Sequence, residues 1–131
     1  ILTANVDRNE TELSVPAFNP LNSINIPSGA THFRLINAIS LVSDFVYNST
    51  TGAYEPSDPG LNEASQIEYS AYIPVNETTT AITLTSTLAG APSIPTTVAV
   101  LGCVGIEFYQ QVGTEYFIFK QGNSMKIQEL F

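Results

Sequence analysis

The chain has 131 residues and a net charge of −8, with twelve acidic residues against four basic ones and 12% charged residues in all. That length suits one domain, 1–131, which buries roughly 65–70% of its unfolded surface and needs no disulfide or metal to hold it. Nucleic acid is excluded as a partner, because Arg8, Arg34, Lys120 and Lys126 do not cluster as counterion release from phosphate requires, and no apolar run is long enough to insert in a membrane.

Thr11-Glu-Leu-Ser-Val15 alternates and reads as a short strand closed by Pro16. Residues 16–27 hold three prolines and several asparagines, the composition of an ordered loop with little regular structure. The turn Pro27-Ser-Gly-Ala30 launches a long β-rich stretch over 31–42. It puts Phe33 and Leu35 on one face and His32, Arg34, Ile36 and Ala38 on the other. Residues 44–47 continue this strand or begin the next. Residues 48–64, with Gly52, Pro56, Pro59 and Gly60, read as a mobile loop. The stretch 66–73 alternates Ile67, Tyr69, Ala71 and Ile73. The stretch 81–88 alternates Ile82, Leu84, Ser86 and Leu88 with threonines. Residues 96–112 are too long for one straight strand, and Gly102 and Gly105 mark a bulge or bend there.

The C-terminal segments read as a three-stranded antiparallel meander of 105–112, 115–120 and 125–131. A two-residue loop at Gly113-Thr114 sets Val112 opposite Glu115, Phe108 opposite Phe119 and Glu107 opposite Lys120, the last as an exposed ion pair. A three-residue loop at Gln121-Gly-Asn123 then sets Phe119 opposite Met125 and Phe117 opposite Ile127, which keeps one apolar face continuous. One core of Phe33, Leu35, Phe108, Phe117, Phe119 and Ile127 is expected. With about seven to nine strands and no amphipathic helix, the fold class is all-β, an antiparallel β-sandwich. The immunoglobulin-like variant stays open without its Cys…Trp…Cys signature, and a closed barrel is the second choice.

Chemistry is scarce. His32 is the one histidine, and no nucleophile motif accompanies it, so a structural or surface histidine is the reading. Cys103 stands alone in an apolar run with no cation nearby, as a small buried hydrophobe does. Carboxylate pairs such as Glu10 with Glu12, or Glu107 with Glu115, lack the tryptophan platforms and deep cleft usual in glycosidases. Asp44, Asn48, Glu55 and Asp58 make an oxygen-rich loop without an EF-hand pattern, read as solvated rather than calcium-binding. No cofactor is implied. Asn9, Asn48 and Asn76 begin N-x-Ser/Thr sequons, which matter only in a cell that glycosylates them.

The stretches Val6-Asp-Arg8, Leu13-Ser-Val-Pro-Ala-Phe18, Pro27-Ser-Gly-Ala-Thr-His-Phe33, Asp44-Phe45 and Gly105-Ile-Glu-Phe-Tyr-Gln110 resemble, in this order, the C-terminal part of an uncharacterised family of Bacteroidota proteins. The resemblance implies a further N-terminal region and a processed or internal start at Ile1, and it carries over no catalytic residue. The functional expectation is a non-enzymatic structural or interaction module, a subunit of an extracellular or particle-like assembly such as a filament. Self-association would run through strand edges or the apolar termini Ile1, Leu2, Leu130 and Phe131, which could each add to a sheet in their own subunit or the next. The alternative is a carbohydrate-binding or adhesive module using Tyr47, Tyr54, Tyr69 or Tyr72 against a glycan.

Overall fold

The computed structural model describes residues 1–131. Its strands are β1 (Leu2–Ala4), β2 (Glu10–Val15), β3 (His32–Ser43), β4 (Phe45–Asn48), β5 (Ala53–Pro56), β6 (Ser65–Tyr69), β7 (Ile73–Pro74), β8 (Ile82–Thr87), β9 (Val98–Val112), β10 (Glu115–Ile118) and β11 (Ser124–Leu130). The one helical turn, α1 (Pro20–Ser23), starts at Asn19, whose side chain accepts the Leu21 N–H, with proline at the first helical position.

These strands form an antiparallel sandwich. The smaller sheet has the order β1-β2-β8. The larger centres on the long pair β3–β9, with β6 and β7 on the free side of β3 and β10 and β11 on the free side of β9. β4 and β5 make a separate hairpin. The alternation over 31–42 divides its faces as the sequence implies. Phe33, Ile39 and Leu41 are buried toward the smaller sheet, and Ile36 and Ala38 face the other way. One end of the core gathers Ile39, Leu41, Leu88, Ile94, Val98 and Val100; the other gathers Phe33, Val75 and Phe108, with Phe18, Leu35, Ile106 and Phe119 around them. Between the two ends along β3 sits Asn37, fully buried and bonded to the opposite sheet through Thr11 and Leu84.

The first half of the expected meander is present. Val112 pairs with Glu115, Gly113 has φ +64° as the first residue of a II′ turn does, and the Phe119 N–H donates to the Phe108 carbonyl at 2.9 Å. The second half is not. β11 pairs with β9 instead of β10, which puts Met125 opposite Gly105 and Ile127 opposite Cys103. The cause is length: β9 runs unbroken for 15 residues, and the four-residue β10 leaves most of that edge unpaired. β10 and β11 are thus two pieces of one edge, joined by an excursion over 119–123. Asn123 splices the gap, since its Oδ1 accepts the Phe108 N–H at 2.8 Å and its Nδ2 donates to the Phe119 carbonyl at 2.6 Å.

This register corrects three expectations. Ile127 moves to the outer face and Phe117 stays toward the hairpin tip, both more than half exposed, so neither joins Phe33, Leu35, Phe108 and Phe119 in the core. Glu107 pairs with Arg34, directly opposite on β3, at 3.1 Å, whereas Lys120 falls in the excursion. The bulge lies in β11 between Ile127 and Glu129, while Gly102 and Gly105 permit close approach. A Cβ at Gly102 would stand 2.6 Å from Leu2 Cδ2 and 2.8 Å from Phe131 Cε2, and one at Gly105 would stand 3.0 Å from the Ser124 carbonyl oxygen. The expected 48–64 loop also carries β5, paired with β4 through Tyr47 opposite Tyr54. The 66–73 strand breaks at Ser70, whose hydroxyl accepts the Leu35 N–H at 2.8 Å.

Candidate functional site

The outer face of the larger sheet is organised in rows across four strands. Met125, Gly105, Ile36 and Tyr69 make one row; Ile127, Cys103, Ala38 and Ile67 the next; Leu130, Leu101, Ser40 and Ser65 the third. Small residues occupy much of the middle and large ones most of the margins, so the face is a shallow trough. Its walls are open to solvent: Leu130 is 67% exposed, Ile127 59%, Met125 49% and Ile67 40%. None of these twelve side chains is charged. Cys103 lies in the trough floor, and burial pushes its thiol pKa up, opposite to what a reactive thiolate needs.

One end of the trough is closed by a polar and aromatic cluster. The Arg34 guanidinium donates to Glu107 and lies 3.9 Å from the Tyr69 ring centre, with Tyr72 and Tyr109 at 5.4 and 5.2 Å. Tyr109 O–H donates to the same Glu107 carboxylate. Tyr72 stacks on Tyr116 at 3.9 Å, and the His32 ring meets Tyr116 edge-on at 5.1 Å with its Nδ1 2.9 Å from Thr31 Oγ1. Desolvation, then the hydrogen bond to Glu107 and its charge, push the Tyr109 phenol up to about 12. An ordinary phenol titrates near ~10. The folded pKa is therefore raised, and its stabilising contribution is complete below about pH 10 and lost as pH rises through 12. The expected result is one tyrosinate absorbance step near pH 12 that Tyr109→Phe removes, with a shallower loss of stability above pH 10 in that variant.

The terminal residues all engage their own subunit. Leu2 pairs opposite Leu13 and meets Phe131 over Gly102. The Ile1 amine donates to the Ser14 carbonyl at 2.9 Å, although its side chain is exposed. The Phe131 N–H donates to the Val100 carbonyl, and Arg8 donates to Phe131 O at 2.7 Å. Leu130 contributes to the trough wall.

Elsewhere, the carboxylates of Glu55 and Asp58 are satisfied locally. Asn48 and Thr51 donate to Glu55, and these bonds lower its pKa; Thr97 and Ser57 donate to Asp58. No three His, Cys, Asp or Glu side chains gather in the arrangement a metal needs. Asn9 is buried and donates to the Pro92 carbonyl, while Asn76 is exposed. Tyr47 and Tyr54 stand together on the β4–β5 hairpin, 5.4 Å apart, whereas Tyr69 and Tyr72 each lie beside Arg34 of the larger sheet. The chain matches no protein-family model, no curated protein and no solved structure. The trough depends on cross-strand register. Its sequence signal was the alternation placing Ile36 and Ala38 opposite Phe33, which says nothing about what stands beside them.

Proposed function

We propose that the chain is a non-enzymatic structural or interaction module, a subunit of an extracellular or particle-like assembly, and that it self-associates through the outer face of its larger sheet. The observation that carries this reading is the trough itself, an uncharged apolar face with no layer over it in a chain of net charge −8. Two acidic copies repel least where neither presents a charge. The large side chains of β11 in one copy suit the small floor of Gly105, Cys103 and Ala38 in another. The rows cover roughly 300–400 Å² on strand spacing, about half of the ~800 Å² per partner in a standard interface. The association is therefore weak and concentration-dependent.

A face that pairs with its own copy closes as a dimer, and growth into a filament needs a second contact. The β4–β5 hairpin, with Phe45, Val46 and Tyr54 exposed, offers one. In immunoglobulin lettering the sheets read A-B-E and G-F-C-C′, and we take the sandwich as immunoglobulin-like, an arrangement shared by many cell-surface domains. That likeness favours an extracellular or cell-surface location by analogy of fold alone.

Sedimentation equilibrium over a concentration series tests the reading. The parent is expected to gain mass with concentration, and Ile67→Glu with Ile127→Glu to stay monomeric. Both side chains are exposed, so each substitution changes stability by only about 0.5 kcal/mol. A parent that is monomeric throughout, or a variant that associates equally well, sinks it. The adhesive reading rests on Tyr47 and Tyr54, whose rings meet edge to face and are both exposed, because the face of Tyr72 is occupied by Tyr116 and that of Tyr69 by Arg34. Selective binding on a glycan array that Tyr54→Ala abolishes would favour it.

A further inference from the structure

A second apolar space lies between the two sheets, on the side where β1 is only 3 residues long. It is an open cavity of about 430 Å³, walled by Leu13 and Val15 of β2, Phe18 and Ile24 of the 16–27 loop, and Val104 and Ile106 of β9. That volume falls within the roughly 300–1,000 Å³ usual for small-molecule sites. Its polar lining consists of Ser23, Ser124 and Lys126, all exposed and hence at the mouth.

Lys126 decides what fits. Its register opposite Val104 puts it on the inner face of the larger sheet, an exposed cation at the mouth of an apolar space. The other cations with structural roles are engaged. Arg34 holds Glu107, the one ion pair within 4 Å, and Arg8 donates to the carbonyls of Ile94, Pro95, Val98 and Phe131. Lys126 has no carboxylate partner. An added β-strand is a poor occupant, because an inward lysine and a bulge in β11 both blunt that edge, and Pro16 ends the opposite edge one residue beyond Val15.

We propose that this cavity binds a medium-chain alkyl carboxylate, with the tail between the sheets and the carboxylate at Lys126 Nζ, helped by the Ser23 and Ser124 hydroxyls. The site does not depend on self-association, which uses the opposite face of the larger sheet. The test is a methyl-labelled NMR titration of the full chain with decanoate and, separately, decanol. Decanoate should shift the methyls of Leu13, Val104 and Ile106 and bind about fivefold tighter than decanol, the contribution of one partly exposed ion pair. Lys126→Met keeps the stem and should bring decanoate down to the affinity of decanol while leaving decanol unchanged. The proposal is overturned if decanoate causes no shift up to its solubility, if acid and alcohol bind equally to the parent, or if the shifts appear at Ile67 and Ile127 of the trough instead.

Discussion

Phe108→Ala is expected to lower folding stability by about 3–5 kcal/mol, the range for deleting a fully buried aromatic side chain. Phe108 is 2% exposed and pairs directly with Phe33, which is 0% exposed. Phe18 lies against Phe33 with ring centres 5.9 Å apart, and Val75 and Phe119 close the rest of the cluster. The surrounding backbone has little freedom to collapse into the space. Phe108 is hydrogen-bonded into the splice on one side, through Asn123 and Phe119, and its strand is paired with β3 from Val98 to Tyr109 on the other. The control is Phe117→Ala, one turn of the hairpin away and half exposed, which should cost under about 1 kcal/mol. Urea unfolding of both variants measures the difference. Equal losses would mean that the two aromatic positions do not differ in burial.

What the sequence disclosed followed from local rules, and what it hid followed from competition between partners. The two-residue turn at Gly113-Thr114 fixes its own register, so Val112 opposite Glu115 was legible. The face division of β3 was legible because alternation needs no knowledge of neighbours. The partner of β11 was not. Continuity of an apolar face favoured β10, but β9 offered a longer unpaired edge, and a single side-chain amide at Asn123 made the change of partner possible. Gly102 and Gly105 were visible as special positions, but a bend and a close approach look alike until Leu2, Phe131 and Ser124 are placed beside them. The trough and the cavity were hidden for the same reason. Each is made by residues from at least three strands whose relative register only the folded sheet defines.

The polar link between the sheets gives the second large effect. Asn37→Leu keeps approximate volume and removes hydrogen bonding at a fully buried position, and it is expected to cost about 3–4 kcal/mol. The side chain accepts from Thr11 Oγ1 at 3.1 Å and donates to the carbonyls of Thr11 and Leu84 at 2.9 and 2.8 Å. Leucine leaves a hydroxyl without its acceptor and two carbonyls without this donor, in a region where Thr11 and Ser86 are also 0% exposed. Thr11→Val should recover part of the loss in the double variant, because it removes the orphaned hydroxyl, and a double-mutant cycle in chemical denaturation reads that coupling directly. A neutral or stabilising Asn37→Leu would mean that the two sheets are held by apolar packing alone. The consequence for function follows from position. Asn37 stands between Ile36 and Ala38 on the trough floor and opposite Val104 on the cavity wall. The same side chain that ties the sheets together therefore sets the shape of both surfaces, and a variant that folds without it should weaken self-association and decanoate binding together.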